Sequence, residues 1–560
     1  MIRVNEIKFR LDETFDDANI IKKIEQKLRL KPNELLNFKM VRESIDARKE
    51  IIFSYTIDVE TTIDKKLIEK GAAKAPKGYK AIYEEIDLSE VSLKSRPVVI
   101  GFGPAGMFAA LVLSRAGLKP IVIEQGESVE ERTQSVNAFW EKGILNPFSN
   151  VQFGEGGAGT FSDGKLTTRI KDTRIEFVIE ALIEAGAPEE IRYKNKPHIG
   201  TDRLKVVVKN MRNEILKQGG EIFFSSCAEA LILEDQHIKG VGVTDLKTGI
   251  KKTIETEHVV LAIGHSARAF YKHLHDLNVK MEAKPFAVGV RIEHPQILIN
   301  ASQYGVDHTN KRLGAADYKL THKSRNGRNL YSFCMCPGGT VVGSASEENR
   351  LVVNGMSEFA RSEYNANSAI LVNIEPLDYG VNPDQYSDVL KGIEWQRDLE
   401  EKAFKCGGMN YSAPITTVGA FLGENLKENE MIQQNQSYYS ALNVSYDEAF
   451  DAMQATYKPE TQMSDFSEIF PDYILEALKE GIVNFGNKIK GFNDPRAVLT
   501  AVESRSSSPV RILRNNASLE SFNVKGLYPC GEGSGYAGGI TSSCVDGIKI
   551  AEKIIESKLF

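Results

Sequence analysis

Cysteine is scarce in this chain. It has six in 560 residues, and none stands in a CxxC pair. A disulfide scaffold and a Cys-rich zinc module are thereby excluded. Neither sign of charge dominates: 70 basic residues face 76 acidic ones, for a net charge of -6, so no nucleic-acid partner is expected. No apolar run approaches the ~18–20 residues of a membrane span, and integral membrane association is not expected. The opening MIRVNEIKFRLDETFDD is charged throughout and lacks a signal-peptide core. The nine histidines form no HExxH or HxxxH. The one HxH, His273 and His275, falls in a helical stretch where i and i+2 point to different faces, so no metal site is expected. Hydrophobic residues at 42% and charged ones at 26% exclude collagen-like and disordered classes. A cytoplasmic enzyme is the default expectation.

Four stretches organise the chain. Residues 1–95 alternate as strand, helix and two strands joined near Asp46–Ala47–Arg48, then a helix at Thr62–Lys70 and a lysine-rich linker, KAPKGYKAIYEE. This reads as a small α+β domain of ferredoxin-like type, with nearly balanced charge and a structural or docking role. At Arg96 the texture changes to PVVIGFGPAGMFAALVLSRAGLKPIVIEQ, a buried strand, glycine turn, helix and second buried strand. That opens a dinucleotide-binding region over 96–270. Residues 271–494 are irregular and mixed, as expected of an inserted α+β substrate or cap domain. Residues 495–560 return as strand, glycine turn and helix. The fold class expected is α/β, with a discontinuous Rossmann-like domain.

The nucleotide signal is a full constellation. Gly101, Gly103 and Gly106 make GxGxxG straight after an apolar strand: one glycine for the tight turn, one for backbone approach to a pyrophosphate, one for helix–strand packing. The helix opening at Pro104 and Ala105 aims its N-terminus at the phosphates. Glu124, followed by Gln125, ends the second strand, where it can accept both ribose hydroxyls and would repel a 2′-phosphate. The closing GLYPCGEGSGYAGGIT, with Gly531, Glu532, Gly539, Ile540 and Thr541, resembles the last motif of glutathione-reductase-type flavoproteins. Gly264, ending HVVLAIG, resembles their middle motif, and Ala228 falls on the strand that would reach the cofactor. Three motifs in this order imply FAD. A further glycine cluster, NVQFGEGGAGTFSDGKLTTR, is either a flexible surface loop or a backbone wall against the cofactor built from Gly156, Gly157, Gly159 and Thr160.

Longer blocks carry a family resemblance over roughly residues 90–560. FGEGGAGTFSDGKL, IGTDRL, KPFAVGVRIEHP, YSFCMCPGGTVVGSASEE, NGMS, APITTVGAFL, ESRSSSPVRILR and GLYPCGEGSGYAGGITSSCVDG resemble the uncharacterised bacterial "NAD(FAD)-utilising dehydrogenase" family. The resemblance implies a flavoprotein with one FAD and supplies no reaction. YSFCMCPGGTVVG is more loosely similar to the YxWxFP motif of geranylgeranyl reductases, with one extra residue before Pro337. No second strand–GxGxxG–helix–acid unit lies between 270 and 500. Either NADH or NADPH binds transiently over the flavin, or the electrons come from elsewhere.

The catalytic candidates are Lys165, Arg505 and Cys336. Lys165 either sets a cation near the flavin or an anionic substrate, or is a solvated lysine. Arg505 and Arg511 either bind a carboxylate or phosphate, or pair with Glu503 or Glu520. Cys334 and Cys336 form a CxC in a strand, where both side chains would face the same way. They are either a redox pair for flavin or packing residues. His265 is a loop residue near the cofactor or a solvated one. Arg291 and His294 either line the substrate side of the flavin or belong to an ordinary half-buried strand with Glu293 pairing locally, the reading favoured. The function read from this is an FAD-dependent oxidoreductase moving hydride through flavin N5 to or from a small organic substrate. The alternative is a flavoprotein that acts as a binding or RNA-modification partner through residues 1–95.

Overall fold

In the computed structural model, the structure describes residues 1–46, 50–69, 79–84, 93–382, 385–423 and 428–557. Ala47 and Arg48 of the expected turn, and half of the linker over 74–85, fall outside the described residues.

A five-stranded parallel sheet forms the floor of the molecule. Its spatial order is Leu527–Pro529, Val259–Leu261, Val98–Ile100, Ile121–Ile123 and Glu221–Phe223. The strands are three residues long and strand-period alternation divides them between two cores. Val99, Val122, Val260 and Tyr528 pack under helices Pro104–Arg115, Thr201–Lys217 and Ile540–Glu556. Val98, Ile100, Ile123, Val259, Leu261 and Leu527 pack on the other face. That face is covered by the antiparallel meander Ser226–Glu234, His237–Asp245 and Lys251–Glu255. Helix Pro104–Arg115 is apolar nearly all round, with ten of its twelve residues buried, as sandwiching between sheet and closing helix requires.

A seven-stranded sheet stands beside it. Its order is Thr321–Lys323, Asn329–Cys336, Asn365–Ile374, Phe286–Pro295, Val498–Glu503, Ala413–Thr417 and Thr461–Met463. On the central strand Phe286–Pro295, Val288, Val290 and Ile292 enter the largest apolar core, which also holds Leu478 and Ile482 of helix Asp472–Lys488. Arg291 and Glu293 take the opposite parity, so the other face carries buried charge beside a small apolar cluster of Ala287, Ala369 and Leu371. Strand Val498–Glu503 pairs with 289–293. The sheet therefore runs past the expected boundary at 494, because the alternating VLTAVE satisfies its hydrogen bonds here and not in the parallel floor.

The N-terminal module is a three-stranded antiparallel sheet, Ile2–Arg10, Ile52–Thr61 and Leu35–Asp46 in that order, covered by helix Asp17–Leu28. Arg312 ties it to the rest. Its guanidinium donates to the Arg10 and Glu13 carbonyls and lies 4.2 Å over the Phe53 ring. Among the described residues no helix is long and apolar enough to cross a membrane.

Candidate functional site

Backbone approach builds one end of the site. Gly101 has φ +95°, and a Cβ there would meet the Ala262 carbonyl oxygen at 2.4 Å, so only glycine turns the chain at this point. Gly157 lies against Gly103, where a Cβ would stand 2.9 Å from the Gly103 Cα. Helix Pro104–Arg115 starts at Gly103 with no side chain capping its free N–H groups, which leaves donors and the positive dipole end for an anion. Glu124 is 5% exposed and already accepts three backbone N–H groups, from Phe102, Gly126 and Gly154. A carboxylate has about four acceptor sites, so Glu124 retains capacity for one ribose hydroxyl and not the two expected. Gln125 and Ala228 line the same end.

The glycine cluster is a wall held from behind. Gly157 and Gly159 face the cavity, whereas Gly156 and Thr160 do not. Thr160 Oγ1 donates to the Glu155 carbonyl and its own carbonyl accepts from Thr201. A Cβ on Gly156 would collide with Thr160 Oγ1. Arg132, fully buried, donates to the carbonyls of Asn150, Val151, Glu155 and Gly157. Gly154 is needed there because a Cβ would meet the Arg132 Cδ at 2.4 Å. No local motif singled Arg132 out, because its partners lie 18 to 25 residues away. Gly106 and Gly531 also sit off the cavity wall: they let helices 104–115 and 540–556 close on the strands. A Gly106 Cβ would lie 2.0 Å from the Gly101 oxygen, and Gly531 donates its N–H to Asp546.

At the other end Gly264, φ +67°, meets the closing motif. A Cβ on Gly533 would stand 2.4 Å from the Gly264 carbonyl carbon, and the Tyr271 hydroxyl donates to the Gly533 and Gly264 carbonyls. Helix Ile540–Glu556 begins at Gly539 without a side-chain cap. Gly539, Ile540 and Thr541 line the cavity. Glu532 faces it too, and burial pushes its carboxyl up to about 7. His265 Nδ1 lies 4.0 Å from Glu532, and burial, followed by the nearby Arg505, holds the ring down to about 3. It is therefore neutral.

These ends belong to one cavity of about 1900 Å³, which continues to the edge strands of the seven-stranded sheet. Ligand pockets are commonly ~300–1,000 Å³, so the space exceeds one ligand. Lys165 lines it, 3.6 Å from Asp163, which Arg361 pairs at 2.6 Å. Arg505 lines it but is not free to clamp a substrate. Its Nε and Nη2 bind Glu400 at 3.0 and 2.8 Å, and Nη1 donates to Ser266 and Ser346. Glu400 simultaneously takes both Arg268 Nη groups at 2.7 and 2.8 Å. The partner is thus neither Glu503 nor Glu520. Glu503 pairs instead with Arg291, and Glu520 accepts from Lys525. Arg511 pairs with Glu282 at 2.9 Å. Glu293 takes Asn365 of the adjacent strand Asn365–Ile374 and, from farther along the chain, Thr456. The buried His294 bonds the Phe492 carbonyl, and His273 accepts from the Leu231 N–H. Among the described residues no cluster of three His, Cys, Asp or Glu could hold a metal ion.

The CxC departs most from expectation. Cys336 is fully buried and does not line the cavity, whereas Cys334 does. Cys334 has φ +42°, and the pairing register slips between Phe333 and Cys336. This bulge breaks the strand alternation, so the two side chains do not simply share a face. All six cysteines are free thiols.

The backbone cradle at Gly103 and Gly157, two uncapped helix N-termini and one residual Glu124 acceptor form a donor set that fits FAD. Comparison with known proteins agrees. Residues 285–506 match the family described as "FAD-dependent protein, C-terminal domain-like", and residues 1–60 match a domain of unknown function. An uncharacterised protein of Clostridium beijerinckii is 49% identical over 99% of this chain and 98% of its own length. Among solved structures, the glycine oxidase of Bacillus cereus is 13% identical, covering 83% of this chain and 96% of its own at a TM-score of 0.30. A halogenase PltM mutant in complex with FAD is 10% identical, covering 83% and 70% at a TM-score of 0.36. At that distance neither locates a residue nor assigns a reaction. On the long match to its clostridial relative and the match over 285–506, the chain belongs to an uncharacterised family of FAD-dependent proteins.

Proposed function

We propose that this chain is an FAD-dependent oxidoreductase that transfers hydride, by way of flavin N5, to or from a small organic substrate. In this reading residues 96–270 and 495–560 hold the cofactor, 271–494 extended by strand 498–503 shape the substrate chamber, and 1–95 are an accessory domain. One observation carries it: a single cavity runs from the phosphate-type turn at Gly101–Gly106 to Asn329–Cys336, the second strand of the seven-stranded sheet. When bound, FAD supplies a two-electron acceptor and donor that no side chain here provides.

The chain's own groups have defined tasks. The N-termini at Pro104 and Ile540 offer free amides and positive dipole ends, the first to pyrophosphate, the second to negative charge at the far end of the cofactor. Glu124 accepts one ribose hydroxyl, and Arg132 keeps the wall at Gly157–Gly159 in place. Lys165 sets a cation in the substrate chamber. Arg505 is a positioning residue that locks the chamber wall through Glu400. The volume beyond one ligand accommodates a substrate, or a nicotinamide acting as transient donor.

The test is an anaerobic absorbance titration of the purified protein with NADH and then NADPH. A flavin spectrum bleached by either establishes the reductive half-reaction. A flavin that stays oxidised directs the search to organic donors. A protein that binds no FAD after reconstitution overturns the reading.

A further inference from the structure

The CxC has no part in holding the cofactor, yet its surroundings are built. In a regular strand, residues i and i+2 stand about 6.6 Å apart, at the far end of the ~4.4–6.8 Å that a disulfide tolerates. Here the left-handed backbone at Cys334 and the register slip take the pair off that geometry. The Cys336 Sγ curls back toward Cys334 and donates to its carbonyl at 3.3 Å. A left-handed, non-glycine residue beside a cavity stores strain that packing must hold. The holder is Arg291, whose Nη1 donates to the Cys334 carbonyl at 2.9 Å.

The charges facing Cys334 cancel in pairs, except one. Arg291 is matched by Glu503 at 2.5 Å; Asp163 is matched by Arg361 at 2.6 Å, with Lys165 a second, more distant cation on the same carboxylate at 3.6 Å. Burial drives Glu532 toward its neutral form. The Lys165 ammonium is the cation left acting on both thiols. The hydrogen bond from Cys336, then Lys165, hold the Cys334 thiol below its ordinary range, while Cys336 is pushed up. The remaining four thiols are all pushed up, chiefly by burial.

We propose that Cys334 and Cys336 are a redox-active dithiol, with Cys334 the cavity-facing reactive thiol and Cys336 its buried partner, exchanging two electrons with the flavin. The inference rests on the FAD reading above. In the forward sense two S–H bonds break and one Sγ–Sγ bond forms. The two electrons and two protons pass to the isoalloxazine, which becomes its two-electron-reduced form. The reverse restores both thiols. Lys165 is a positioning residue that stabilises the Cys334 thiolate.

The experiment has two readouts on the holoprotein. First, iodoacetamide near about pH 6 should label Cys334 at least ~10-fold faster than any other cysteine, because only a thiolate reacts. Lys165→Met should slow that labelling. Second, after oxidation with diamide, free thiols counted under denaturation should fall by the two of the pair. Anaerobic titration with dithionite should then consume twice the reducing equivalents per flavin that Cys336→Ser consumes. An unchanged thiol count, or uniform labelling, overturns the dithiol. A changed thiol count with equal dithionite uptake overturns its coupling to flavin. If Cys336→Ser does not fold, the wild-type stoichiometry against its own flavin absorbance decides the same point. If no flavin binds, the function proposed above fails, and the thiol count still reads the pair on its own.

Discussion

Glu400 is the anion on which the wall between the two sheets depends, and replacing it with glutamine gives a sharp expectation. Its carboxylate, fully buried, receives Arg268 from the helix Arg268–Asp276 and Arg505 from the end of the seven-stranded sheet, and Ser504 Oγ at 2.7 Å. Without it, Arg268 keeps Glu347 at 2.6 Å, but Arg505 is left 3.7 Å from the same residue. Two guanidiniums, 1% and 2% exposed, would then share one half-buried carboxylate. Breaking a buried ion pair costs about 3–5 kcal/mol, which in a unit of this size lowers the melting midpoint by roughly 6–20 °C. Arg397→Gln is the matched control: it touches the same Glu347 but is 25% exposed, and about 1 kcal/mol or less is expected. Both are measured by thermal and urea unfolding followed by far-UV circular dichroism. The neighbouring guanidiniums hold the Glu400 carboxyl well below the usual range. Its contribution is therefore fully present above the unfolded carboxylate pKa and lost as pH falls through the folded one, so the deficit of Glu400→Gln should shrink in acid. A loss no larger than that of Arg397→Gln at neutral pH would refute the reasoning.

Four further outcomes follow from the cofactor end. Gly106→Ala should fail to fold, since its Cβ would lie 2.0 Å from the Gly101 oxygen. Gly103→Ala should fold, its nearest neighbour being 3.7 Å away, but lose about 10-fold or more in FAD affinity, roughly 1.4 kcal/mol; soluble yield and flavin titration separate the two. Arg132→Met leaves four carbonyls without their donor and should raise proteolysis of the 150–157 loop and weaken FAD retention. Charge-assisted bonds are worth about 1.5–3 kcal/mol each, so intact retention would contradict the role given to Arg132. For Glu532, burial raises the folded pKa to about 7, above the unfolded carboxylate near ~4.3. The folded state binds more protons in that window, so stability falls as pH rises across it. In flavin-free protein Glu532→Gln should gain stability relative to wild type between about pH 5 and about pH 7, read by thermal unfolding. A difference flat with pH would place Glu532 in ordinary solvent.

The division between what could and could not be read in the sequence follows the range of the interactions. The parallel floor was legible because each piece is local: apolar triplets at 98–100 and 121–123, a glycine turn between strand and helix, and a glycine-rich return at 531–541. The roles of individual glycines were less so. Gly101, Gly103 and Gly106 look alike in a string, but one turns the chain, one faces the cavity and one admits a helix, and only their neighbours distinguish them. The charged residues misled more. Arg505 stays open in the sequence between a substrate clamp and a pair with Glu503 or Glu520, because its actual partner, Glu400, lies 105 residues away on a helix with no motif. Glu124 was assigned two ribose hydroxyls because a sequence does not count backbone amides, and three of them already point at its carboxylate. The CxC shows the same limit in its sharpest form. Strand periodicity puts Cys334 and Cys336 on one face, and that inference is sound for any regular strand. A single left-handed residue overrides it, so that Cys334 lines the cavity while Cys336 is buried behind it. Periodicity assumes an unbroken ladder, and ladders break where a side chain has to be aimed. The failure of the simple pattern at 334–336 is thus itself an indication of where in the cavity chemistry is to be sought.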